Sequence, residues 1–467
     1  MKEALPERTS GVGLGRRLAL AATAALLLFG AGCGEGTPGA IAARVLARYQ
    51  KATGAKPLTA GGMIRFRLAA AGGLGGAGSA EILWEPKRYR ETLASAGWTT
   101  VRGIELGKAF FTDQDGVTRV VSDPVLQELT TRSYFWRRAW LFEDREDARV
   151  GLGAANDEEV SIRVQPYGGN PLELTFSRLD GRLRSARSPR FELEFSSETR
   201  FRDASDPSRL VEGEIAWVGL PTGDMPRPEV GGARARFSDV SSRIPFDPAG
   251  GRVVIPVRIG GEPVRLAVDA TADGPVRVAP ALASRLALAL QPDIFGRRVA
   301  GGVALQVGSV TYPSLFVEAA EDLPPGVEAQ AGGCFFREAV VELDPGARLF
   351  GLHDPERWVV PEGFLRVVID DDGDRPVAIL DRGTQKLRVV AGSDTGGASL
   401  ELAAESARRA DLEKQTKADG VLWGAARVAV VRLRVAGQGF FPDWGDDGRM
   451  GFPLLLRYHS YLHMPQR

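Results

Sequence analysis

Val253-Val-Ile-Pro-Val-Arg-Ile-Gly-Gly-Glu-Pro-Val-Arg-Leu-Ala-Val-Asp269 is the stretch on which the fold turns. It reads as a strand, a Gly260-Gly261 hairpin and a second strand that delivers a carboxylate to a turn. Val276-Arg-Val then gives a short strand, and Pro280 to Leu288 a helix. The same order recurs further on. Leu387-Arg-Val-Val leads to Asp394-Thr395-Gly396-Gly397, 125 residues after Asp269, and Ala398 to Leu412 supplies another strand and helix. Each copy closes on a glycine-containing segment and a strand, Gly332 to Asp344 in one and Gly448 to His459 in the other. A pattern repeated at this length is an internal duplication. It predicts two related halves, each presenting one Asp.

Two carboxylates from paired halves suit one chemistry well. Held so close that both cannot ionise, they share a proton; the charged one activates water and the protonated one donates to a carbonyl. A Thr after each Asp can bond across the halves, and a Gly after that lets the backbone approach the carboxylate. Ile244-Pro-Phe, Asp394-Thr-Gly and the strand expected over Phe336 to Asp344 resemble the bacterial retropepsin-like aspartyl peptidases with two lobes in one chain. That resemblance covers about 242–467, with lobes of about 242–358 and 359–467. It implies Asp269 and Asp394 as the active pair, supported by Thr395 and Gly396. The first turn departs from the pattern: Ala270 stands for Thr and Thr271 for Gly. Ala391-Gly392-Ser393 precedes Asp394 where an apolar strand is expected, and Gln330-Ala331 replaces two bulky apolar residues. Misplacing the pair by about 1 Å costs roughly a hundredfold in rate. Weakened or lost peptide hydrolysis, an aspartic-type endopeptidase that tolerates its variant turns, and a different fold altogether all stay open.

Upstream the pattern differs. Pro38 to Thr53 has helical apolar spacing, and from Met63 to about Trp217 alternation dominates, the period of half-buried strands. A helical insert is expected around Leu126 to Leu141. Val45-Leu-Ala-Arg-Tyr-Gln-Lys-Ala-Thr-Gly, Ile82-Leu-Trp-Glu-Pro-Lys-Arg-Tyr-Arg and Tyr134-Phe-Trp-Arg-Arg-Ala-Trp-Leu resemble the LolA/LolB-like lipoprotein carriers. The resemblance implies an incomplete barrel, lidded by helices, that holds acyl chains over 34–220. Trp84, Trp98, Trp136 and Trp140 then either line an acyl-binding cavity or fill an ordinary core. Pro221 to about 241 reads as a linker. The fold class expected is mainly β: an N-terminal incomplete antiparallel β-barrel with helices, then a bilobal aspartic-protease-like all-β region.

The N-terminus reads as a targeting segment. Arg16-Arg17, an apolar run from Leu18 to Phe29 and Gly30-Ala31-Gly32-Cys33 have the layout of a signal peptide ending at a lipidated cysteine. This predicts residues 1–33 as a lipoprotein signal, Cys33 as the lipidation site, and an envelope protein anchored through lipid, facing the periplasm, with the outer membrane as its destination. The 467-residue chain has 59 Lys+Arg and 59 Asp+Glu, so no basic face for nucleic acid is expected. Two cysteines exclude a disulfide framework. Asp370-Asp-Asp-Gly-Asp374 lacks the spaced ligands of a calcium loop. His459 and His463 have a spacing that would suit a metal on a helix, but they fall in the expected terminal strand, where four residues span about 13 Å. No metal or other cofactor is expected. The partners expected are a peptide or protein, an acyl chain or lipoprotein in the barrel, and the membrane through the anchor. The alternative to a peptidase-derived module is a non-catalytic lipid-, lipoprotein- or polypeptide-binding envelope protein.

Overall fold

The computed structural model describes residues 38–58, 61–73, 75–121, 123–205, 210–220, 225–228, 235–271, 275–365, 369–371, 376–393, 395, 397–430, 432–436 and 447–463. The chain is mainly β, as its alternating pattern predicts. Helix α1 (Pro38–Thr53) precedes a 13-stranded antiparallel sheet in which strands adjacent in sequence pair, β6 and β7 excepted, and β1 also pairs with β13. Its strands are β1 (Gly62–Ala70), β2 (Ala77–Glu85), β3 (Arg88–Ser95), β4 (Trp98–Glu105), β5 (Lys108–Thr112), β6 (Thr118–Val120), β7 (Arg149–Ala155), β8 (Glu159–Gln165), β9 (Leu172–Ser177), β10 (Leu183–Ser188), β11 (Phe191–Phe195), β12 (Arg200–Asp203) and β13 (Val211–Gly219). The edges β6 and β7 do not meet, so the barrel is incomplete. Helix α2 (Asp123–Trp136) connects them and packs Leu129, Phe135 and Trp136 into the core, where α1 adds Leu46 and Tyr49.

The second region carries the duplication in its pairing. Strands β14 (Arg236–Phe237), β15 (Ser241–Pro245), β16 (Val253–Ile259), β17 (Glu262–Val268) and β18 (Val276–Val278) come first, then α3 (Pro280–Arg285). After them come β19 (Gln291–Pro292), β20 (Arg298–Val307), β21 (Val310–Ala319), β22 (Ala329–Ala331), α4 (Gly333–Glu338), β23 (Val340–Asp344) and β24 (Leu349–His353). The second half comprises β25 (Ile369–Asp371), β26 (Pro376–Arg382), β27 (Gln385–Ser393), β28 (Leu400–Leu402), α5 (Ala404–Arg409), β29 (Ala418–Trp423), β30 (Ala426–Val430), β31 (Leu433–Val435), β32 (Gly448–Gly451), α6 (Phe452–Leu455) and β33 (Ser460–Leu462).

In the first half β17 runs parallel to β22, β22 antiparallel to β18, and β18 parallel to β21. In the second, β27 runs parallel to β32, β32 antiparallel to β28, and β28 parallel to β31. Two halves with one order of parallel and antiparallel pairings are what the repeated sequence predicts. A four-stranded sheet, β15-β24-β23-β33, joins the last strand of the chain to the first half. One apolar core runs through both halves.

Some boundaries differ from the expectation. Phe336 belongs to α4 (Gly333–Glu338), not to the closing strand, which begins at Val340. The terminal strand is only Ser460–Leu462, so His459 and His463 flank it. Arg236–Phe237, within the stretch that reads as a linker, pairs with β21.

Among the described residues, the N-terminal sheet meets the duplicated region at one end. A Cβ on Gly76 would lie 2.0 Å from the Pro292 carbonyl oxygen, and the Gly76 N–H donates to the Asp293 carbonyl. Ser95 Oγ accepts from the Ile294 N–H, and Trp98 stacks on Phe295. Arg337 on α4, its side chain 1% exposed, lies 3.4 Å from Asp113 and 3.6 Å from Asp115, carboxylates of the β5–β6 turn. Burial works against the charge of Arg337, and the two aspartates more than compensate, so its pKa is raised. The glycine-rich 72–76 turn is thus a docking surface whose small residues let two backbones touch.

Candidate functional site

Strand β17 ends at Val268 and hands Asp269 to a tight turn. The Asp269 N–H donates to the Ala331 carbonyl, and a Cβ on Gly332 would fall 1.7 Å from the Asp269 carbonyl oxygen. The matching glycine in the second half is Gly451, where a Cβ would lie 2.2 Å from Thr395 Oγ1. Each closing glycine therefore lets a strand press against an Asp turn.

The Asp269 carboxylate is buried and held by its neighbours. Its Oδ1 accepts from the Thr271 N–H at 2.9 Å and the Thr271 hydroxyl at 2.7 Å, and Oδ2 accepts from Gln330 Nε2 at 2.9 Å. Gln330 is itself fixed by Arg277, whose Nη1 donates to its Oε1 at 2.8 Å. The two departures from the peptidase pattern thus have a physical role: Thr271 and Gln330 supply donors to Asp269. Asp394 and Gly396 lie outside the described residues, as does Cys33.

Across the halves the Ala270 N–H donates to the Gly392 carbonyl at 2.9 Å. Thr395 is buried, and its hydroxyl donates to the Ala398 carbonyl inside its own turn. Gly392 has a φ of +83, and β27 shifts register there while Ala391 and Ser393 remain buried. The Ala391-Gly392-Ser393 segment therefore continues the strand through a kink that glycine permits.

The four tryptophans separate. Trp136 and Trp140 line a cavity between the helices and the N-terminal sheet, together with Tyr49, Phe195, Val218 and Arg138. Trp98 sits at the seam against Phe295, and Trp84 is a core residue under which Gly62 leaves room. Burial leaves the indole N–H of both Trp136 and Trp140 without an acceptor among the described residues. Arg138 has no carboxylate partner among them either. The cavity holds about 40 Å³, room for a few water molecules, whereas small-molecule sites run to roughly 300–1,000 Å³. The segment that follows Trp136 is conformationally loaded: Arg138, Arg145, Glu146 and Asp147 all lie at positive φ, a region costing roughly 1–2 kcal/mol for each non-glycine residue.

No protein-family model matches this sequence, and no curated protein matches it. Among solved structures, a DUF1329 family protein from Desulfovibrio piger ATCC 29098 aligns at a TM-score of 0.26 and 10% identity, over 41% of this chain and 96% of its own. LolA superfamily protein NE2245 from Nitrosomonas europaea gives 0.26 and 12%, over 40% and 94%. MucB in complex with MucA(peri) gives 0.15 and 13%, over 59% and 93%. Likenesses this slight leave the functional reading to the chain's own residues.

Proposed function

We propose that this chain is a lipid-binding protein of the cell envelope, exported and anchored through Cys33. On this reading residues 34–220 hold an acyl chain, and residues 242–467 form a two-lobed unit of aspartic-peptidase type that grips polypeptide and hydrolyses it weakly or not at all. The observation that carries it is the pair of buried indole N–H groups, on Trp136 and Trp140, beside Arg138 in a mostly apolar cavity whose lining carboxylate, Glu198, already accepts from the Tyr49 hydroxyl. A buried donor without an acceptor is costly, about 1–3 kcal/mol. A carbonyl or carboxylate at the head of an acyl chain supplies that acceptor, and lifting the strained 138–147 segment makes room for the chain.

The weakened-peptidase part rests on Asp269. Three donors from Thr271 and Gln330 already occupy its carboxylate, which leaves little of it to direct at a water. The experiment is a titration of the full chain with a fluorescent fatty acid, beside cleavage of a peptide library at pH 4–7 by wild type, Asp269→Asn and Asp394→Asn. Saturable fatty-acid binding with no Asp-dependent cleavage is the expected result. Cleavage abolished by either substitution would make the chain an aspartic endopeptidase, and no fatty-acid binding would return the tryptophans to core packing.

A further inference from the structure

We infer that the end of the N-terminal sheet opposite the seam is a membrane-docking rim that rests on an anionic lipid bilayer. In an antiparallel meander, alternate turns fall at opposite ends. The turns after β1, β3 and β5 meet the duplicated region through Gly76, Ser95, Trp98, Asp113 and Asp115. The turns after β2, β4, β7, β9 and β11, and the end of β13, all lie at the other end.

Exposed apolar side chains gather at that second end. Leu106 in the β4–β5 turn is 77% exposed, Leu179 in the β9–β10 turn 88%, and Trp217, Val218 and Leu220 at the end of β13 are 41%, 44% and 72%. These are five of the six large apolar side chains exposed on the described N-terminal region; Tyr167, in the turn after β8, is the sixth. Scattered single exposures are ordinary, but a ring of them on one edge is not. Bases flank the tips: Lys108 follows Leu106, Arg178 and Arg182 bracket Leu179, and Lys87 tips the β2–β3 turn. Arg182 lies by Asp180, whose carboxylate accepts from its backbone N–H, whereas Lys87, Lys108 and Arg178 have no ion-pair partner among the described residues. Leucine and tryptophan tips with adjacent Lys and Arg are the chemistry of a bilayer interface, the apolar group entering the acyl boundary and the base meeting lipid phosphate.

The cavity opens on the same end. Leu183, Phe195, Ser197, Glu198 and Val218, all in its lining, lie at or beside those turns. A rim seated on a bilayer therefore places the cavity mouth against acyl chains. The inference stands on the exposed rim and its charges, and is independent of what the cavity holds.

The test places an environment-sensitive fluorescent amino acid at position 220 of the full chain, with a second protein labelled at position 167 on the seam side. Each is mixed with phosphatidylcholine–phosphatidylglycerol vesicles carrying lipids brominated near the headgroup. The expected result is a blue shift and about twofold quenching at 220, with no change at 167. A label at 220 that stays as water-exposed on vesicles as in solution overturns the inference, and so does equal quenching at both positions. A blue shift at 220 that rises with protein concentration and needs no vesicles assigns the rim to a second copy of the chain and overturns it as well. Because the label reads the rim with an empty cavity, its failure leaves fatty-acid binding untouched, and failed fatty-acid binding leaves the rim result standing.

Discussion

Gly351 stands between Arg243 and Glu342 in the four-stranded sheet, and its missing side chain is the path by which their charges meet. It pairs with Arg243 on one side and with Glu342 on the other. A Cβ on Gly351 would lie 2.6 Å from Glu342 Oε2. Through that gap Arg243 donates to both Glu342 oxygens, at 2.7 and 3.0 Å, while His353, His459 and Tyr461 reach the same carboxylate at 2.7–2.9 Å. One buried carboxylate so fastens the last strand of the chain to the first half.

Acid should loosen that joint. Burial alone raises the pKa of Glu342, but donors from His353, His459, Tyr461 and Arg243 outweigh it and hold the value at about 2, against 4.5 ordinarily. A depressed carboxylate stabilises the fold above its unfolded pKa and loses that contribution as pH falls through its folded one. Thermal melts should therefore fall between about pH 4.5 and 2. Glu342→Gln, which leaves the half-exposed Arg243 facing a neutral group, should cost about 1–3 kcal/mol at pH 6, and its deficit should shrink below pH 3. A pH-independent deficit would show that packing, not charge, makes the joint.

Asp269→Asn should behave as a structural lesion. Turning one oxygen into an amide sets two donors, its own and that of Gln330, against each other. About 1–3 kcal/mol of stability should be lost in urea denaturation. Gln330→Glu should do comparable or greater harm by placing two carboxylates together, whereas Gln330→Met, which removes the donor without adding charge, should do less.

For the cavity, Trp136→Phe and Trp140→Phe keep a ring and remove the N–H. Each should weaken fatty-acid binding about five- to tenfold, the equivalent of one hydrogen bond. Circular dichroism should be unchanged, and a melting temperature that holds or rises would fit removal of an unpaired donor.

Cys334 is buried, and that burial pushes its thiol up to about 12. Native protein at pH 8 should leave this thiol unmodified by maleimide and release it only on unfolding. Mass spectrometry of the labelled peptide reads the outcome directly.

The duplication was legible because each copy carries its own hairpin, Asp turn, helix and closing glycine. The parallel pairings β17–β22 and β27–β32 follow that order. Alternation from Met63 onward likewise announced the large sheet. The chemistry of the first turn was harder to read. Thr271 and Gln330 look like damage in the sequence, because nothing in it says that Gln330, 61 residues beyond Asp269, folds back with Thr271 onto that carboxylate. The Glu342 joint was invisible for the same reason: its donors come from three strands and from His459 beside the last of them, and only the register aligns them. Nothing around Gly76 announces that it admits the Pro292 carbonyl, because that contact depends on a surface far along the chain.

The placement of the seam at one end of the N-terminal sheet sets a distance. Strand β2 covers nine residues from the seam end to the open end, about 30 Å at roughly 3.3 Å per residue. Whatever the open end rests on, the duplicated lobes stand off from it by about that height, held by the buried Arg337 and not by a linker. The sheet acts as a pedestal, and it fixes how far from its support the duplicated lobes stand.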